Sequence, residues 1–559
     1  MRLFYSLLRL SLVIIAPGIS MAQHSETLDD PYLPPANTAG PKTSPAFQYT
    51  GANVFITQVN IDSDGNNILN DAANEPSIAI NALDPSRMVI GWRQFDNIQS
   101  NFRQAGFGYT TDGGQTWTFP GVIDPGIFRS DPVLASDAEG RIFYNSLTVG
   151  NNNNFHCDVY RSTGDGTWDD GVYAVGGDKA WMAIDQTDGP GKGHIYSNWN
   201  GGFSDCANGS DFTRSTDDGD SYEYCTTFTP GIYWGTISIG PDGTLYMSGN
   251  GGDVVWSSNA QNDGEDVIFD GISYADLNYD YQAMGGPTPN PGGLLGQCYI
   301  ATNHSPGPLN GQIYILQSVR QQGGNDPRDV MFSRSSDGGL NWTPAVKIND
   351  DLGETWQWFG TMSVAPNGRI DVVWLDTRDN PGMLLSALYY SYSTDGGDIW
   401  SPNEQLSPSF DPHIGWPNQD KMGDYFHMVS DNSGAHLAWA ATFTGGQDVY
   451  YAHITLPNSA TTEADKHINQ TLKINPNPMI DQSTIQYDTD IAGRVNIQIF
   501  NQMGVLVSSF MDEVEIPGHY SQIWNGLGTN GQKLPAGIYY CQLSVNEKPA
   551  GFEKIVLMR

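Results

Sequence analysis

The chain has 559 residues, with 62 acidic against 26 basic side chains and a formal charge of −36. A surface that acidic repels nucleic acid and anionic lipid, which excludes both as partners; it suits salt water or cation binding and leaves calcium open. The 64 glycines, 11% aromatics and scarce helical periodicity indicate an all-β chain with many turns, and five cysteines are too few to hold a fold of this size by disulfides.

Residues 1–22 read as a signal peptide. Arg2 and Arg9 precede and flank a short apolar core, LSLVIIAPGI, and Ser20-Met21-Ala22 offers small residues to a signal peptidase, with cleavage before Gln23. No later segment approaches the roughly 20 apolar residues that a membrane helix needs. The mature protein is expected to be soluble and exported, with no transmembrane span. Residues 23–50 form a polar, Pro-rich segment. Asp62-Ser63-Asp64-Gly65-Asn66 spaces its acids as a calcium loop does, but the glycine falls too early and no Glu closes the loop. A solvated turn is expected there, and no metal ligand is assigned.

From residue 51 to residue 456 the sequence repeats. YTTDGGQTWT (Tyr109–Thr118) returns as SRSSDGGLNWT (Ser333–Thr343) and as SYSTDGGDIWS (Ser391–Ser401). The flanks alternate as two strands do, and Asp-Gly-Gly marks the turn between them. Glycine permits positive φ, the carboxylate accepts backbone N–H groups, and the tryptophan is an apolar plate for neighbouring strands. Each letter thus has a structural role, so the boxes read as scaffold and not as active sites. Upstream of each box lies an apolar strand, a Gly-containing turn and a second apolar strand, as in TMSVAPNGRIDVVWLD from Thr361. Pairing these with hairpins near Phe107, Cys157, Asp211, Asp253, Asp329, Ala387 and Asp448 gives seven four-stranded units, a β-propeller period. GANVFITQVN (Gly51–Asn60) precedes the first unit and is placed to complete the last blade. Cys206 and Cys225 flank a hairpin and form the best candidate disulfide.

The pattern Ser/Thr-x-Asp-x-Gly-x-x-Trp resembles the Asp-box, or BNR repeat, of sialidases and related propellers. It is complete at Asp112 with Trp117, Asp337 with Trp342 and Asp395 with Trp400. Because sialidases have six blades, the resemblance keeps six as an alternative to seven. After a polar linker, residues 457–471, the pattern changes. Residues 472–559 read as a small β-sandwich of alternating strands. Asn475-Pro476-Asn477-Pro478, Ile499-Phe500-Asn501-x-x-Gly504, Ala536-Gly537-Ile538-Tyr539-Tyr540 and Lys554-x-Val556 resemble the type A C-terminal sorting domain of the Bacteroidetes type IX secretion system. That resemblance implies handling by the type IX machinery and a secreted or cell-surface destination.

A propeller binds ligands where its 4–1 and 2–3 connections converge, at the end opposite the Asp-box turns. Those connections carry Arg93, Asp96, His156, Arg320, Arg378, Arg129, Asp131, Asp178-Lys179, Tyr233-Trp234, Glu354, Trp356 and Lys421 with Asp424-Tyr425. Aromatic plates beside carboxylates and arginines suit extracellular glycans, whose C–H faces stack while their polar groups hydrogen-bond. Such residues also form ordinary ion pairs between blades. Sialidase resemblance implies three substrate-binding arginines, for which Arg129, Arg320 and Arg378 are candidates with Trp356 beside them. It also implies a Tyr–Glu nucleophile pair and an Asp acid/base, for which Tyr425, Glu354 and Asp131 are candidates. Phe128-Arg129-Ser130-Asp131-Pro132 departs from the family's Phe/Tyr-Arg-Ile-Pro motif, so whether the chain is an enzyme stays open, with a lean to a glycoside hydrolase. The alternatives are a non-catalytic glycan- or protein-binding propeller and a polysaccharide lyase using His156, His194 or Tyr233. No cofactor is required by any of these readings.

Overall fold

The structure, a computed structural model, describes residues 30–32, 42–150, 154–202, 204–206, 210–227, 231–280, 288–322 and 325–456, and in the tail 472–489, 493–501, 506–514, 518–529, 531–545 and 548–558. The residues read as a signal peptide, most of the segment to residue 41, those read as a linker (457–471) and Gly504 lie outside the described residues. The described chain is all-β, and none of it is a helix able to cross a membrane. It divides into two compact units, Met1–Leu456 and Pro457–Arg559.

The first unit is a seven-bladed propeller. Blade 1 is the meander Ala72–Ile80, Met88–Phe95, Gln104–Thr110, Thr118–Ile123, and blade 2 is Ser130–Ser136, Ile142–Val149, Phe155–Ser162, Val172–Tyr173. Blade 3 has Trp181–Ile184, Ile195–Asn198 and Phe212–Ser215, with a bridge from Phe212 to Thr226 where a fourth strand would run. Blade 4 is Ile237–Ile239, Leu245–Gly249, Asp253–Ser257, Gly271–Tyr274, and blade 5 is Tyr299–Thr302, Ile313–Gln321, Asp329–Ser335, Val346–Lys347. Blade 6 is Gln357–Val364, Ile370–Asp376, Ala387–Ser393, Glu404–Gln405. Blade 7 takes His427–Ser430, Ala435–Ala441 and Asp448–Ile454, and Val54–Gln58 pairs with the last of these as its outer strand. N-terminal residues thus close the ring. The seven first strands touch one another in turn, blade 7 returning to blade 1. The six-bladed alternative falls because the box-less unit around Val254 forms a complete four-stranded blade.

The repeated turns are one device used four times. Thr110, Ser215, Ser335 and Ser393 each donate a hydroxyl to the aspartate two residues on, at 2.7–2.8 Å. Each of those hydroxyls accepts the N–H of the glycine four residues on, and the aspartates 112, 217, 337 and 395 accept a backbone N–H four residues further. Orphan turn donors are thereby satisfied locally. The aromatic plates then reach the blade before their own. Trp117 of blade 1 packs on Tyr451 of blade 7 at 5.2 Å between ring centroids, and Trp400 of blade 6 packs on Phe332 of blade 5 at 5.0 Å. Trp342 of blade 5 donates to Ser273 of blade 4 at 3.0 Å. Gly114 must be glycine, because its φ is +86° and a Cβ would lie 2.3 Å from the Tyr451 ring. The wide blade interfaces exist because apolar plates from each turn bury against the neighbour, worth roughly 3–5 kcal/mol per tryptophan removed.

The second unit is a β-sandwich. One sheet holds Lys473–Asn475, Ser483–Thr489 and Gly518–Trp524, and the other Leu506–Val514, Gly493–Asn501, Gly537–Val545 and Lys548–Leu557. Ile485, Ile497, Ile499, Trp524, Leu543 and Ile555 fill the space between them. The two ends of this unit hold each other: Asn477 accepts the Val556 N–H at 2.9 Å and donates to the Lys554 carbonyl at 2.5 Å.

Candidate functional site

The 4–1 and 2–3 connections meet where the first strands begin. In five blades the residue five positions before the end of the first strand has a left-handed backbone: Glu75 (φ 50°), Asp131 (47°), Lys179 (57°), Trp234 (60°) and Phe359 (55°). Non-glycine residues pay for such a conformation, on the order of 1–3 kcal/mol each, and such strain collects at functional sites. Bulges between Asn74 and Ser77 and between Trp358 and Thr361 accompany it, the local device by which a strand re-aims a side chain.

Three of these five residues join a charged cluster drawn from four blades. Lys179 Nζ lies 2.9 Å from Asp424 and 3.5 Å from both Asp131 and Asp178. Lys421 Nζ lies 2.8 Å from Asp424 and 3.4 Å from Glu75, and Arg93 lies 3.2 Å from Glu75. Arg103, stacked on Phe128 at 4.5 Å, completes four bases against four acids, all buried. A buried charge persists only when paired, so the near balance of the cluster is a condition of its existence.

The carboxyls do not share one state. Burial opposes ionisation of Asp131, but Lys179 and Arg93 outweigh it and hold the carboxyl well below the ordinary range. Burial likewise opposes Asp424, and Lys179, Lys421 and Arg93 win there too. At Glu75 burial prevails over Arg93 and Lys421 and pushes the group up to about 7, while at Asp178 it prevails over Lys179 and pushes the group up to about 6. Near neutral pH the cluster can therefore hold a proton on one carboxyl while others stay ionised.

The cluster is roofed. The connection entering blade 5 lies on the connection entering blade 7: Asn290 donates to the Gly423 carbonyl at 2.8 Å and accepts the Met422 N–H at 2.7 Å. The Leu294 N–H reaches Asp424 itself at 2.8 Å. Tyr233, 46% exposed, stands edge-on to the buried Trp234 at 5.0 Å and gives this face an aromatic margin.

The residues singled out in the sequence fall into three groups. Asp131 and Tyr425 come together: the charges facing the Tyr425 phenol, itself pushed well above its ordinary value by burial, are Glu75, Asp131, Lys179 and Arg93. The Tyr425 hydroxyl donates to the Pro132 carbonyl at 2.8 Å. Glu354 is exposed on the connection entering blade 6, and Trp356 beside it is half-buried. The arginines remain apart. Arg129 pairs with Asp158 at 2.7 Å and Asp124 at 3.0 Å over the Tyr160 ring. Arg378 pairs with Asp350 at 2.7 Å and Asp376 at 2.8 Å over Tyr389, and Arg320 is exposed at the end of a blade 5 strand. Sequence reading did not single out Glu75 or Arg103. A signal for Glu75 exists: Glu75-Pro76 stands five positions before the end of its strand, as Asp131-Pro132 does in the next blade. Cys206 and Cys225 form a disulfide, and Cys157 and Cys298 are buried free thiols. Asp62 accepts the N–H groups of Asp64 and Asn66, capping its own turn.

Residues 473–558 match the secretion system C-terminal sorting domain family. No curated protein matches the sequence. Among solved structures, a protein of unknown function from Dyadobacter fermentans is similar at 14% identity, with 71% of this chain and 98% of that one covered and a TM-score of 0.39. A Hadza microbial sialidase is similar at 14% identity, covering 69% of this chain and 66% of that one, with a TM-score of 0.36. A Trypanosoma rangeli sialidase in complex with the inhibitor DANA is similar at 10% identity, covering 89% and 86%, with a TM-score of 0.36.

Proposed function

We propose that the chain is exported through a type IX secretion system by its C-terminal domain, and that its propeller recognises an extracellular glycan by binding rather than by sialoside hydrolysis. The observation that carries this reading is the commitment of the guanidiniums: Arg129 and Arg378 are spent on carboxylates of their own surroundings, in separate blades. A sugar carboxylate gains a strong clamp only where arginines converge with free N–H groups. What the same face does offer is the exposed Tyr233 plate, half-buried Trp356 and a polar rim, the materials of a neutral or weakly acidic glycan contact.

A hydrolytic reading has one observation in its favour. Glu75 and Asp131 hold their protons differently within one cluster that also faces the Tyr425 phenol, and glycoside hydrolysis divides its work between two carboxyls in that way. The roof formed by residues 288–297 and 411–424 must open before a substrate reaches them.

Glycan-array binding of the mature chain, run beside fluorogenic sialosides and acidic polysaccharides, separates the two. Glycan capture that falls about tenfold in Tyr233→Ala or Trp356→Ala, with no turnover, is the expected result. Sialoside release abolished by Asp131→Asn would instead establish the hydrolase, and an ultraviolet-absorbing unsaturated product would establish a lyase.

A further inference from the structure

The other end of the axis is open. A channel runs along the first strands of blades 3 to 7, with an inner chamber of about 250 Å³ and an outer one of about 470 Å³. The two share Ile237, Ser238, Thr302, His304 and Val364, so they are one continuous space. The outer chamber reaches Gln186, Thr187 and Pro366, just past the ends of first strands, and so opens on the side of the repeated turns. At the inner end stand Trp181, Tyr299 and His427, with Trp181 edge-on to Tyr299 at 5.9 Å and to His427 at 5.4 Å.

Two features set this wall apart. First, none of the residues lining either chamber is Asp, Glu, Lys or Arg, in a chain with 62 acids and 26 bases. An ion brought between such walls would lose its hydration with no partner to replace it. Second, the half-buried His427 and the buried Trp181 bring donors to the space with no protein acceptor. His427 Nδ1 accepts the Ile78 N–H at 3.3 Å and lies 2.8 Å from the Ser77 hydroxyl, so the proton of the neutral ring sits on Nε2. Burial lowers His427 to about 4, which keeps the ring neutral at neutral pH. Among the described residues neither His427 Nε2–H nor the Trp181 indole N–H meets an acceptor, although Trp181 is 4% exposed and both line the inner chamber. Nearer the mouth the chemistry reverses. His304 donates Nε2–H to the Ile239 carbonyl at 2.8 Å, which leaves Nδ1 of the neutral ring as an acceptor, and the hydroxyls of Ser238 and Thr302 line the wall beside it.

We infer that this channel is a binding site for a neutral, hydroxyl-rich small molecule of single-sugar size. A hydroxyl both donates and accepts, so a polyol can satisfy the inner N–H groups and the outer acceptors together. The outer chamber alone lies within the roughly 300–1,000 Å³ of ordinary ligand pockets. The site is independent of the glycan-binding face proposed above, which lies at the opposite end of the blades.

Isothermal titration of the full mature chain with D-glucose, D-galactose, D-mannose and D-glucuronate tests the site. Ala301→Leu and Ala183→Leu fill the inner and outer chambers from different blades and remove no hydrogen-bonding side chain. The expected result is one-to-one binding of a neutral hexose, about tenfold weaker in each filled variant and about tenfold weaker for glucuronate. Tyr233→Ala should leave it unchanged. If one filled variant fails to show a wild-type unfolding transition, the other decides. The inference is overturned by no hexose binding up to roughly 50 mM, by glucuronate binding as tightly, or by binding that survives both fillings.

Discussion

At one end of the propeller axis Glu75, Arg93, Asp131, Lys179, Lys421 and Asp424 bring charge into a space that water does not reach; at the other, Ser238, Thr302, His304, Ser363 and His427 line an open channel with no charge at all. The first strands of blades 3 and 7 take part in both ends, so the identity of the strand is not the cause. The difference lies in what faces the axis as each strand begins and as it ends. Left-handed residues and bulges at the start let long charged side chains converge and pair, whereas regular pleating further along presents short hydroxyl and apolar side chains that leave room. Ionic closure and an open lumen are two solutions to one problem, the filling of a ring too wide for its own strands to fill.

The comparison breaks most readily at Lys179. Lys179→Met strands Asp131, Asp178 and Asp424 without their shared cation, and should lower stability in urea by about 3–5 kcal/mol. A loss no larger than that of a surface substitution would mean that the charges are not interdependent, and the contrast between the ends would lose its basis.

A second prediction uses pH. Burial, then the nearby Asp448, pushes Asp71 up to about 8, and burial pushes Glu75 up to about 7. Both carboxyls keep protons in the folded chain at a pH where the unfolded carboxyl, near 4, has lost its own. Their contribution is therefore full below about pH 4 and is lost as pH rises through the folded values. Asp131 and Asp424, held low, act oppositely and lose their contribution only in acid. Denaturant unfolding should thus show stability falling between about pH 5 and 8, by an amount on the order of a few kcal/mol. Asp71→Asn should flatten that slope, and the neutral channel residues Ser363 and Thr236 should not affect it. A flat profile in the wild type would contradict the assignment.

The smallest effect belongs to the rim of the open end. Asp112→Ala removes the acceptor for the Thr116 N–H and hydroxyl and for Thr110, and should cost about 1 kcal/mol in thermal unfolding while leaving ligand binding at either end intact. Loss of binding without loss of stability would make the repeated turns something other than scaffold.

Much of the fold was legible because its signals are local. The hairpins expected near Phe107, Asp253, Asp329, Ala387 and Asp448 fall on third strands, and the strand within Gly51–Asn60 does close blade 7. The alternation of strands over residues 472–559 foretold the sandwich of the second unit for the same reason. The candidate site was legible only in part. Asp131, Lys179, Lys421, Asp424 and Tyr425 could be marked as polar or aromatic groups in connections, but nothing in the string says that residue 179 meets residue 424. Glu75 lies inside a strand and was marked only by the Glu-Pro pair that matches Asp131-Pro132, and the channel left no trace in the sequence, since serine, threonine and alanine in a strand look alike whether they face a neighbour or a void.

Sequence by itself therefore determined the repeat, the self-capping turns, the all-β class and the change of pattern at the tail, because each depends on contacts within a few residues. Tertiary structure alone decided which charges became partners, that Arg129 and Arg378 were taken up by their own surroundings, and that one end of the axis closed while the other stayed open. Those outcomes depend on how seven blades pack around a ring, where side chains hundreds of residues apart come within a few ångströms and the energy of each is set by what the others bring.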